Sequence, residues 1–82
     1  MSQKHTSTKK ISDIDNVRIG KIVALVRQSK HLTAEKLAVY IGCDRSTLSL
    51  YEGGSRPIPV NRIPRLAEAL GIEPRVLDRN AA

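Results

Sequence analysis

The sequence predicts a small all-α domain. Two observations carry that prediction. Residues 32–54, LTAEKLAVYIGCDRSTLSLYEGG, hold two short helical patterns joined by a tight corner at Gly42–Cys43–Asp44. The flanking segments repeat apolar residues at the helical period: Ile19, Ile22, Val23 and Val26 before the corner, Ile63, Leu66, Ala67 and Leu70 after it.

Eighty-two residues make one domain, with no room for a second core. Hydrophobic residues are 40% of the chain, and Phe and Trp are absent. The core must be Leu, Ile, Val and Ala, and a monomer is expected to be modestly stable. A formal charge of +6 and a pI of about 10.0 favour a polyanionic partner or an anionic surface. Small basic proteins can also carry such charge without any ligand. One cysteine excludes an internal disulfide framework and gives no support for a cysteine-rich zinc site. No apolar stretch approaches the roughly 20 residues that cross a bilayer, and no signal-type segment follows the N-terminal basic residues. Cytoplasm is the expected compartment. No cofactor, metal, membrane or small-molecule effector is expected.

Residues 1–14 read as a flexible basic arm containing Lys4, Lys9 and Lys10. It is either an inert tail or an arm that adds phosphate contacts, and His5 is an ordinary tail residue. The domain spans 15–78, and 79–82 form a stub. A first helix is expected from Asp15, which can accept bonds from first-turn amides, with Asp13 as a competing start. Ile14 and Ile19 then have hydrophobic-staple spacing. Gly20 weakens that helix by about 1 kcal/mol. Arg27, Gln28, Ser29 and Lys30 end it. Leu25 falls outside the stripe, as plain surface or a partner contact.

Leu32 is a core plug and Thr33 an N-cap. Leu37, Ala38 and Ile41 form the inward stripe of the next helix, with Ala34 at its edge. Tyr40 points outward, to reach a phosphate or to cover the surface. Gly42 suits a left-handed helix end. Asp44 caps the following helix, and Cys43 and Leu48 have staple spacing, so Cys43 is a small buried hydrophobe. Leu48 and Tyr51 pack inward.

That leaves Arg45, Ser46, Ser49 and Leu50 on a face the core does not need. This is the layout of a DNA-reading helix-turn-helix. Arginine can donate to guanine O6 and N7 as a fork, leucine can touch a thymine methyl, and serine can serve base or backbone. A solvated arginine beside a stray leucine is the plainer alternative. Gly53–Gly54 stops the helix. Ser55 and Arg56 follow as a corner where amides and an arginine suit a phosphate.

Pro57-Ile58-Pro59 reads as a stiff connector. Asn61 can cap a helix with Pro64 in its first turn, and Gly71 stops it. Pro74 starts a last short helix. Ile72, Val76 and Leu77 are expected to pack back on the core.

Together these residues resemble the Cro/C1-type helix-turn-helix family, also called XRE-like or lambda-repressor-like. The resemblance covers roughly 15–78. It rests on the leucine–threonine start, Leu37–Ala38, Gly42, Ser46–Thr47–Leu48, Glu52, Gly54, Leu66–Ala67 and Leu70–Gly71. It implies a compact five-helix domain whose helix at 45–52 reads DNA through Arg45 and Ser46, with Ser49 and Leu50 beside them. It implies phosphate contacts at Thr33 and permits them at Arg62 and Arg65. Arg27 and Glu52 match a pair that braces the first helix against the recognition helix, with Arg27 near backbone phosphate. Ala34 departs from the glutamine-like side chain common at its position, and His31 replaces a common glycine.

The implied function is a sequence-specific transcriptional regulator, a repressor bound as a homodimer to a palindromic operator in double-stranded DNA. Ile72, Val76 and Leu77 are its candidate dimer contacts, unless they only complete the core. A chain of this length leaves no separate oligomerisation domain, so dimerisation is expected to be weak or DNA-dependent. The alternative is an antitoxin-like or protein-interaction module in which DNA reading is secondary or lost. An enzyme is not expected: His5 and His31 lie in the tail and a junction, and the carboxylates are scattered.

Overall fold

A computed structural model describes residues 11–78, with side chains from Ile14 onward. Four α-helices form: α1 (Ile11–Ser29), α2 (Ala34–Ile41), α3 (Arg45–Gly53) and α4 (Ile63–Leu70). Two 3-10 turns, Val60–Arg62 and Pro74–Leu77, complete the described residues. The fifth helix implied by the resemblance is thus a single 3-10 turn, four residues long. None of these helices is long and apolar enough to cross a membrane.

Helix α1 already includes Ile11, four residues before Asp15. Asp15 is therefore not its cap. It lies within the helix, 3.8 Å from Arg18. Ile14 is exposed, so the expected staple with buried Ile19 does not form. Residues 11–14, expected in the arm, belong to α1. The rest of the arm, with Lys4, His5, Lys9 and Lys10, lies outside the described residues, as does the stub from 79 onward.

The core follows the apolar stripes. Ile19 and Val23 of α1 meet Leu37, Ala38 and Ile41 of α2, Leu48 and Tyr51 of α3, and Leu66, Ala67 and Leu70 of α4. Two further residues close it. Ile58, between the two connector prolines, is buried, and so is Leu77 of the last turn. Helix α1 packs on α3, α2 on α3 and α4, and α4 on both turns. Gly20 is buried in the α1–α3 crossing.

Local chemistry sets the corners. Helices α2, α3 and α4 end in left-handed glycines, Gly42, Gly54 and Gly71, with φ of 85°, 81° and 70°. At the end of α1 the left-handed residue is His31, with φ of 56°. The Leu32 amide reaches back to the Arg27 carbonyl over 3.1 Å, the six-residue closure of a helix end. Asn61 does not cap α4: it sits inside the 3-10 turn, and Arg62 precedes the helix without a side-chain cap bond. That turn closes instead through the Arg62 amide on the Pro59 carbonyl, 2.9 Å.

Candidate nucleic-acid interface

Two capped helix starts frame the site. The Thr33 hydroxyl accepts from the Lys36 amide at 3.2 Å, and an Asp44 oxygen accepts from the Thr47 amide at 2.7 Å. Each cap satisfies an amide that the helix leaves without an internal partner. The Thr33 hydroxyl proton remains able to donate outward. The bond from Thr47 holds the Asp44 carboxyl below the usual range. Beside it, burial pushes the Cys43 thiol up, which disfavours a thiolate and suits a packed, unreactive cysteine.

Helix α3 has two distinct faces. Leu48 and Tyr51 are buried in the core. Arg45, Ser46 and Ser49 are exposed on the other side, and Leu50 keeps 37% of its surface. Positions 45, 46, 49 and 50 follow the helical repeat, so they line one side. An exposed arginine, two hydroxyls and an aliphatic tip can meet base edges and methyl groups in a major groove.

The back of α3 is tied to α1. Arg27 Nε donates to Glu52 Oε2 at 2.7 Å, and Nη2 donates to Oε1 at 3.2 Å. Arg27 Nη1 donates to the Leu32 carbonyl at 2.9 Å. The two side chains are only 15% and 14% exposed. Its bond with Glu52 raises the Arg27 pKa further, against the opposing effect of burial. Two parallel N–H···O bonds fix direction as well as distance. The expected phosphate contact at Arg27 therefore competes with three bonds inside the protein, and the residue positions α3.

The corner after α3 differs from expectation. The amides of Ser55 and Arg56 point inward, to the Leu50 carbonyl at 3.0 and 3.3 Å. They close the helix end and do not face a ligand. The exposed side chains of Ser55 and Arg56 remain for phosphate, and the Arg56 charge also helps lower the Asp44 pKa.

Three further residues are drawn toward α2. Arg62 Nη1 donates to the Ile41 carbonyl at 2.7 Å, at the negative end of α2. Arg65 donates to the Tyr40 carbonyl at 3.5 Å, and its guanidinium stands 5.3 Å from the Tyr40 ring centre. The Glu68 carboxylate near the Tyr40 hydroxyl raises its pKa. Arg62 and Tyr40 thus join α2 to the second half of the domain, through the Ile41 carbonyl and the Arg65 guanidinium. Leu77, a candidate dimer contact, is 1% exposed and belongs to the core. Val76 is exposed and Ile72 half-buried.

Sequence reasoning missed one contact on the exposed face of α3. Arg45 Nη1 lies 3.3 Å from Glu35 Oε2. Glu35 sits in the first turn of α2, and nothing in the spacing marks a pair ten positions apart.

A family model described as helix-turn-helix matches residues 23–77. The fold is similar to the restriction-modification controller protein C.AhdI from Aeromonas hydrophila, with a TM-score of 0.72 and 40% sequence identity. That match covers 79% of this chain and 94% of the controller. The chain belongs to the Cro/C1-type helix-turn-helix family. Comparison with curated proteins finds no match. As a Cro/C1-type protein the chain is a DNA-binding regulator of transcription. No cluster of His, Cys, Asp and Glu able to hold a metal occurs among the described residues.

Proposed function

We propose that this Cro/C1-type regulator acts in the cytoplasm as a repressor, bound as a homodimer to a palindromic operator. Arg45, Ser46, Ser49 and Leu50 read bases from α3. Thr33 and the side chains of Ser55 and Arg56 grip backbone phosphate. The exposed face of α3, held from behind by Arg27 and Glu52, carries this reading. A reading helix discriminates only if its orientation is fixed, and a bidentate ion pair with low exposure supplies that. The similarity to a restriction-modification controller supports the same regulatory class here, control of restriction–modification genes. Dimer contacts fall to Val76 and Ile72, since Leu77 is occupied by the core.

Selection of sites from random duplex DNA, followed by footprinting, tests the reading. The expected product is a two-fold symmetric site whose half-sites lie about one helical turn apart. Failure to enrich any sequence over bulk DNA overturns it.

A further inference from the structure

The acidic side chain of Glu35 pairs with the candidate base reader Arg45. The Glu35–Arg45 pair joins the first turn of α2 to the first turn of α3, and its side chains are 63% and 69% exposed. Stability does not account for it, because exposed ion pairs contribute little to folding. DNA attraction does not account for it either. A carboxylate beside phosphate opposes the pull that a net charge of +6 supplies.

We propose that Glu35 is a positioning residue that sets how selectively Arg45 reads. The proposal rests on Arg45 being a base reader. A guanidinium carries five N–H groups in a planar fork. Contact through Nη1 leaves the Nε–Nη2 edge for guanine O6 and N7. Held this way, the guanidinium is kept from swinging to the nearest phosphate, and the Glu35 charge repels phosphate from that corner. Guanine in the right place accepts the held geometry, while bulk DNA gains nothing from it. Specificity is a difference between two affinities, so an element that weakens the wrong complex raises it.

The test measures wild type, Glu35→Ala, Glu35→Gln, Arg45→Ala and the Glu35→Ala/Arg45→Ala double variant. Each is titrated onto the selected operator and onto a scrambled duplex across a salt series. Glu35→Ala is expected to tighten scrambled binding about three- to tenfold and steepen its salt slope by about 0.9. Operator affinity stays level or falls, so the selectivity ratio drops. Glu35→Gln keeps a hydrogen-bond acceptor and falls between. In the Arg45→Ala background, removing Glu35 leaves the ratio unchanged. Equal tightening on both duplexes overturns the proposal, since Glu35 is then only a repelling charge. A lower melting temperature with unaltered selectivity also overturns it, leaving Glu35 as a charge at a helix N-terminus. Failure of the underlying reading is visible separately: Arg45→Ala alone then keeps the wild-type selectivity ratio, which removes the ground for both.

Discussion

Gly20 of α1 lies directly against the backbone of Tyr51 in α3. A β-carbon on Gly20 would overlap the Tyr51 carbonyl oxygen and come within 2.6 Å of the Glu52 carbonyl oxygen. Both obstacles are backbone, which no side-chain rotation relieves. Gly20→Ala should therefore destabilise the domain by roughly 3 kcal/mol, the upper part of the overpacking range. That exceeds any gain from alanine's better helix propensity, about 1 kcal/mol. Urea unfolding of the two proteins measures the difference, and an unchanged or raised midpoint would contradict the close crossing.

Farther along the same two helices, Glu52→Ala leaves the Arg27 guanidinium with the Leu32 carbonyl alone. Loss of charge-assisted bonds at a site with so little exposure should cost roughly 1.5–3 kcal/mol. Arg27→Lys keeps the charge but cannot make both prongs, so it should recover only part of the stability. Denaturant midpoints for the two variants test this order.

Asp44 makes stability depend on acid. Its folded pKa is lowered by the Thr47 bond, from an ordinary value of 3.8. A lowered folded pKa means the contribution is present above the unfolded value. It is lost as pH falls through the folded one. Asp44→Asn can still cap but does not titrate. Melting temperature followed from about pH 6 to pH 2 should fall more steeply in wild type than in Asp44→Asn, with the gap opening below about pH 4. Parallel curves would remove Asp44 from the acid response.

Arg45 and Arg56 should separate in kind. Arg45→Ala should cost roughly 1–3 kcal/mol of discrimination at one base pair. Arg56→Ala should weaken all sequences alike and reduce the salt slope by about 1. Competition titrations against single-base operator variants distinguish the two, and a uniform loss for Arg45 would move it to a phosphate role.

Leu77 and Val76, adjacent in sequence, should also behave differently. Leu77→Ala opens the core and should cost about 2–5 kcal/mol. Val76→Asp, at an exposed position, should leave the monomer folded and lower self-association in sedimentation. Unchanged self-association would take Val76 out of the dimer contact.

What could be read from the sequence was local. Thr33, Asp44 and Gly42 act within a turn of themselves, so their residue types announced the caps and the corner. The inward stripes were legible for the same reason, being set by the helical repeat. The contacts that position the site are distant in sequence. Arg27 and Glu52, 25 positions apart, came into view through the resemblance and not through spacing. Arg62 reaches the Ile41 carbonyl across 21 positions, and no local signal marks that bond. Gly20 read as a weak point in a helix because its partner backbone lies in α3. Ile58 read as a connector residue because a single apolar side chain between two prolines carries no period.

Helix α3 thus divides its residues between two duties that do not overlap. Leu48, Tyr51 and Glu52 hold it to the domain, while Arg45, Ser46, Ser49 and Leu50 touch little of the interior. The reading side can therefore be rewritten without disturbing the support. Exchanging those four residues for another regulator's set should redirect the protein to a new operator on an unchanged scaffold. The exchange must carry a matching choice at position 35, where the neighbouring helix reaches the first letter of the code.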